Sequence, residues 1–368
     1  LRLADAHVEA DRFPAALALL GEKAEDPVDA AKIALARGRA YLSLGDQAEA
    51  TAAMRGAYEG FRGRDAGSLL GEAAFLLAQL LMNEEPDPGA DDEPLALLGE
   101  AMAHIPADQT GFRASVHAVR GRRLMDLGRP ADAVEDLVEA VAAFTAEGAF
   151  PQMAHTRLDL AFALLHAGRH LEAAEAAEEA GPMLLRLEDV VAERRSRYVA
   201  AEAQRLMGEE GAADTFAGLA DDEDEPAVAA QLLEKAGEVL TERDRDAQAA
   251  ERFAAAAERF TTAGDPYGAV RTRRRAALCL AWSGRLDDGL AEMGAVRDAL
   301  GGLPPDNPAA VTWETAVTSY DEARLLASAG RVDEALARAE EAITGFTALD
   351  EQGPAETATR LRDDLLGR

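Results

Sequence analysis

The sequence predicts an all-α protein made of about nine stacked helical hairpins, with one further helix closing the C-terminus. Three observations predict it. Eight turn residues recur along the chain: Asp11, Gly45, Gly128, Gly168, Gly208, Asp244, Gly284 and Gly330. Seven residues before them stand Ala4, Gly38, Gly121, Ala161, Ala201, Gly237, Ala277 and Ala323, and five after them Ala16, Ala50, Ala133, Ala173, Ala213, Ala249, Gly289 and Ala335. Finally, aromatic residues make up only 5% of the chain, and the 48% apolar fraction is dominated by Ala and Leu. Two helices joined by a tight turn need small residues where their axes come closest, and such a chain packs thin helix–helix seams instead of one thick core.

The turn residues fall 34, 83, 40, 40, 36, 40 and 46 residues apart. The interval of 83 holds two units, because a further pair fits within it: a helix over Ser68–Met82 and another over Pro94–Ile105. Between them Asn83–Glu93 carries prolines, acids and a glycine, the composition of a loop. The fourth hairpin shows the local logic. Phe112–Leu127 presents Val116, Val119, Leu124 and Leu127 as a helical stripe, Gly128 suits a left-handed stop, and Pro130 starts the next helix. That helix turns Ala133, Val134, Leu137, Val138 and Val141 to one side and Asp132, Glu135, Asp136 and Glu139 to the other. Gly208–Glu225 is weaker: its second helix, near Gly211–Leu219, is short and runs into Asp221–Glu225. It reads as a degenerate hairpin with an exposed acidic loop or as a hinge. The expected organisation is an N-terminal array over 1–220, with an acidic insertion at 83–93, and a C-terminal array over 221–368, forming one continuous superhelix closed by Pro354–Leu366.

The turn heptads LGDQAEA, LGRPADA, AGRHLEA, SGRLDDG and AGRVDEA resemble the tetratricopeptide repeat, as does the later alanine at Ala57, Ala140, Ala180, Ala220, Ala256 and Ala342. The spacing is mostly about 40 instead of 34. The family's aromatic positions hold mainly Leu, Met or Ala, with Tyr41 and Phe253 as exceptions. The chain is thus similar to the extended bacterial, actinobacterial-like form of the repeat. The resemblance implies a right-handed α-solenoid whose first helices line an inner groove, at positions two, three, six, ten and thirteen residues before each turn. Those positions hold Lys32, Arg39, Arg122, Arg195, Tyr198, Arg205, Arg271, Arg274, Trp282, Tyr320 and Arg324, with His155, Phe162 and His166. A groove of this kind suits an acidic or carboxylate-ended peptide, with guanidinium forks for carboxylates and aromatics as anchors. The competing reading makes the same arginines salt-bridge partners of outer-helix acids in neighbouring repeats.

The net charge of −30 argues against nucleic acid as a partner. Neither an apolar run long enough to span a membrane nor a leader-like basic and apolar segment is visible. The sequence starts at Leu1 without a methionine, so an N-terminal extension is expected to be missing. A single cysteine, Cys279, between Leu278 and Leu280, suggests a buried thiol and a reducing, cytoplasmic setting. Phosphate-cradling loops, dinucleotide fingerprints, nucleophile elbows and zincin motifs are absent from the sequence. His166 and His170 are four apart but flank a turn, and Asn83–Glu93 lacks the ligand order of a calcium loop, so no metal or cofactor is expected. The expectation is a non-enzymatic scaffold or adaptor for a protein or peptide. The alternative is the peptide- or ligand-sensing part of a larger transcriptional or signalling regulator. Self-association is also expected if Leu1, Leu3 and Val8 face solvent.

Overall fold

The structure, a computed structural model, describes residues 24–82, 92–305 and 307–367. The hairpin expected around Asp11, the apolar Leu1, Leu3 and Val8, and residues 83–91 of the acidic insertion lie outside the described residues.

The described residues form seventeen helices and no strand. In order they are α1 (Pro27–Leu44) and α2 (Gln47–Phe61), α3 (Ser68–Leu81) and α4 (Glu93–His104), α5 (Thr110–Asp126) and α6 (Pro130–Glu147), and α7 (Phe150–His166) and α8 (His170–Arg186). Then come α9 (Val190–Met207) and α10 (Gly211–Asp221), α11 (Pro226–Thr241) and α12 (Asp246–Thr262), α13 (Pro266–Trp282) and α14 (Leu286–Leu300), and α15 (Pro308–Ser328) and α16 (Val332–Ala348), with α17 (Gln352–Leu366) closing the chain. They belong to two compact units, 1–199 and 200–368, and the division falls inside α9, ahead of the acidic stretch Asp221–Glu225.

The expected turns stop their helices in one way. Gly45, Gly128, Gly168, Gly208, Asp244, Gly284 and Gly330 all have positive φ, from 55° to 90°. At Gly128 the glycine N–H donates to the Met125 carbonyl (3.0 Å) and the Arg129 N–H to Leu124 (2.8 Å), which satisfies carbonyls the helix end leaves free. A second set, Gly148, Glu188, Gly264 and Asp350, follows twenty residues after Gly128, Gly168, Asp244 and Gly330 and shares that geometry. Each 40-residue repeat is therefore two helix-plus-turn halves of equal length.

The small-residue register is the seam between paired helices. A Cβ added to Gly121 would lie 2.6 Å from Leu137 Cγ, and Gly38 and Gly237 stand equally close to Met54 and Phe253. In all three hairpins a large side chain sixteen residues later fills the notch the glycine leaves. The alanines at 50, 133, 161, 173, 201, 213, 249, 277, 323 and 335 are at most 2% exposed. The short α10 still buries Ala212, Ala213, Phe216, Ala217, Leu219 and Ala220, so it is a truncated hairpin helix and not an unstructured loop. Cys279 is buried against α11, its sulfur 3.7 Å from Thr241 Oγ1, and burial pushes its thiol pKa up.

Candidate functional site

In unit 1 the first helices α3, α5 and α7, with Phe144 of α6, enclose a pocket of about 470 Å³. Its floor is apolar: Phe75, Ala118, Val119 and Phe144. Phe75 is fixed by an edge-to-face contact with Phe112 at 5.3 Å. Its rim is polar, with Gln79 and Gln152 exposed and neither bonded to another described residue. Arg122, also on the rim, is 47% exposed and donates one guanidinium N–H to Asp159 (3.1 Å). His155 completes it. Its Nδ1 faces the Pro151 carbonyl at 2.8 Å and its Nε2 faces Asp189 at 2.9 Å. Both ring nitrogens thus meet acceptors, which only the doubly protonated imidazolium satisfies. The hydrogen bond to Asp189 and that to the Pro151 carbonyl raise the His155 pKa above its ordinary value. Burial pushes Asp159 up despite the positive charge of Arg122. Arg195 lies 5.0 Å over the Phe162 ring and faces Asp159 and Asp189 at longer range.

The first-helix face of unit 2 is built differently. Arg275 Nη1 donates to Glu238 (2.8 Å) and Glu234 (3.0 Å), and Arg271 donates to Glu234 through two nitrogens (3.0 and 2.9 Å). Arg274 pairs with Asp321, which also meets Arg324 at 3.5 Å. Beside Arg274 and Arg271 sits Glu314, 8% exposed, whose side chain makes no hydrogen bond to another described residue. Burial pushes its pKa up, against the positive charges of Arg274 and Arg271. Signs alternate along this ladder across α11, α13 and α15. Earlier in the unit, Glu202 bridges Arg205 (2.8 Å) and Lys235 (3.5 Å), and its carboxyl, pushed up by burial, is held down overall by those two cations.

The groove residues expected from the sequence thus divide. Arg122, His155 and Arg195 gather on unit 1, around the pocket and the neighbouring face of α9. Tyr198, on the same helix, is half-buried. Lys32 is bound to Asp29 one turn earlier (3.1 Å), and Arg39 to Glu72 on α3 (2.8 Å), apart from the pocket. Arg205, Arg271 and Arg274 are struts of the unit 2 network, while Arg324 lies between Trp282 and Tyr320, 5.7 and 5.8 Å from their rings. The partners of these arginines correct one expectation. They are acids of the same or adjacent first helices, not of the outer ones. Arginines reaching second helices are others: Arg120 to Asp136 (2.7 Å) and Arg157 to Glu179 (2.6 Å). The sequence reading missed Asp159, nine residues before its turn and so off the sampled positions, and the neutral rim amides Gln79 and Gln152.

No protein-family model and no curated protein sequence matches the chain. Solved structures do. The apo form of RapI is 11% identical, with 91% of this chain and 97% of that one covered and a TM-score of 0.52. The apo form of the quorum sensor NprR from B. thuringiensis is 15% identical, with 92% and 99% covered and a TM-score of 0.47. A tetratricopeptide repeat protein from Parabacteroides merdae is 12% identical, with 89% and 98% covered and a TM-score of 0.36. At these identities the likeness is one of fold. Paired helices, left-handed turns in register and small-residue seams give this chain the tetratricopeptide-repeat type of fold.

Proposed function

We propose that this chain is a non-enzymatic interaction scaffold that holds a peptide or extended protein segment on the first-helix face of unit 1. One observation carries the reading: the 470 Å³ pocket combines an apolar floor with a rim of unengaged amides and two cations. The floor accepts one large apolar side chain. The amides of Gln79 and Gln152 match the N–H and C=O of an extended backbone, and Arg122 and His155 favour a carboxylate on the adjoining residue. The ligand is therefore a peptide with an acidic residue beside an aromatic or aliphatic one. Arg39, Arg271 and Arg274 tie neighbouring helices together in this reading, Lys32, Arg205 and Arg324 pair with acids of their own helices, and none of the six contacts the ligand.

Selection from a random peptide library on the immobilised protein tests it. Enriched peptides should pair an acid with a large apolar residue, and the double change Gln79→Ala and Gln152→Ala should weaken them about tenfold, the worth of one to two neutral hydrogen bonds. Equal affinity for the double variant, with an unchanged helical circular-dichroism spectrum, sinks the proposal.

A further inference from the structure

Unit 2 holds a second cavity that the peptide reading does not use. It measures about 520 Å³ and opens between the second helices α12 and α14, with α13 as its floor. Alanines create the space: Ala254 and Ala257 on α12 and Ala299 on α14 stand where larger side chains would close the walls. Pro266, Ala269, Val270 and Leu303 supply further apolar surface. The volume falls within the roughly 300–1,000 Å³ typical of small-molecule sites, and the lining matches their pattern of apolar walls with few polar groups.

The polar group that orients an occupant is Arg273. Its Nε bonds Glu292 across the hairpin, and its two terminal nitrogens make no hydrogen bond to another described residue. The antiparallel register sets Arg273 level with Ala254 and Glu292 at one end of the cleft, and Leu303 at the other. Glu292 cancels the guanidinium charge, and the exposed Glu258 adds a negative charge on the rim. An anionic ligand is repelled here. An uncharged ligand with a hydrogen-bond acceptor finds unengaged N–H donors at one end and apolar walls along its length.

We propose that this cleft binds an uncharged, mainly apolar small molecule whose carbonyl oxygen accepts from Arg273. The site is independent of the peptide pocket, so either can fail without the other.

Nile red, an uncharged carbonyl-bearing dye whose emission shifts to the blue in apolar surroundings, tests the inference. It should bind one per chain, at least tenfold tighter than the anionic dye anilinonaphthalene sulfonate. Ala254→Phe fills the cleft from an exposed position and should abolish the blue shift, and Ala299→Phe should do so from the opposite wall. Arg273→Leu should weaken binding about tenfold, the loss of a charge-assisted hydrogen bond. Circular dichroism and thermal melting confirm that each variant is folded, and one folded wall variant suffices. Unsaturable dye uptake, equal or tighter binding of the anionic dye, or undiminished binding by a folded wall variant overturns it.

Discussion

Arg122 at the unit 1 pocket is 47% exposed and holds Asp159 through a single nitrogen, whereas Arg274 in unit 2 is 13% exposed and faces an Asp321 that is 7% exposed. Both stand on first helices, and both bridge to an acid on the next. What separates them is desolvation. A half-exposed guanidinium keeps its remaining N–H groups in water, where a ligand carboxylate can replace solvent at little cost. A buried one has already been stripped of water, so its carboxylate partner cannot be exchanged without stranding a charge. The Arg274–Asp321 pair of unit 2 is thus a fixed strut, whereas Arg122 of unit 1 keeps N–H groups in water.

The sharpest way to break this contrast is to remove the acid from each pair. Asp321→Ala strands Arg274 and deprives Arg324 of its carboxylate, and should cost about 3 kcal/mol in urea unfolding, at the level of a broken buried pair. Asp159→Ala should cost under about 1 kcal/mol, because burial already raises the Asp159 pKa and offsets what Arg122 contributes. Equal losses for the two variants would abolish the distinction between strut and open site.

Much of this architecture is legible in the chain itself. Gly121 and Ala133 mark the seam of their hairpin, and Gly128 marks its turn, because a close approach and a left-handed backbone each restrict the residue type. The turns at Glu188 and Asp350 escape notice because their left-handed conformation, which costs a non-glycine residue about 1–2 kcal/mol, is imposed by the flanking helices and leaves no glycine to read. The site was less legible. Arg122 and Arg274 look alike in sequence, and only the burial of Asp321 against the partial exposure of Asp159 tells them apart. Gln79 and Gln152 carry no charge or motif, so nothing in their spacing singles them out from other exposed polar residues.

Neutralising the cations separates recognition from support. Arg122→Gln should reduce affinity for a selected acidic peptide about tenfold, the worth of one charge-assisted hydrogen bond, and change stability by less than about 1 kcal/mol. Arg274→Gln should do the reverse, lowering stability and leaving peptide affinity as it was. Isothermal titration and thermal melting on both variants decide the matter, and a peptide that responds to Arg274 alone would move the site to unit 2.

Glu314 sharpens the picture of the unit 2 ladder, because it is the member whose burial is not repaid by a hydrogen bond. Arg271 keeps Glu234 and Arg274 keeps Asp321 when Glu314 is removed. Glu314→Met, similar in volume and free of charge, should therefore raise stability at pH 7 by about 1 kcal/mol. The sign with pH follows from the raised pKa. The charged form is penalised in the folded state above the folded pKa, and no penalty exists below the ordinary glutamate value. The gain should fade as pH falls into that range, and a gain that persists at low pH would point to packing instead of charge.

The smallest effect concerns His155, which is half exposed, so its pairing with Asp189 is felt in binding more than in stability. Its folded pKa is raised first by the hydrogen bond to Asp189 and then by the Pro151 carbonyl. The pairing is accordingly complete below the ordinary histidine pKa and is lost as pH rises through the higher folded value. The charges facing the ring are Asp159 on its own helix and Asp189 ahead of α9, with Arg195 on α9 opposing them. An NMR titration should show the His155 ring titrating above free histidine, and Asp189→Asn should bring it down. Affinity for an acidic peptide should weaken severalfold across the same interval, as the imidazolium loses its proton. His155→Asn should bind with a flat profile there. A sloping profile in that variant would assign the pH dependence to the peptide and leave Arg122 as the cation that recognises it.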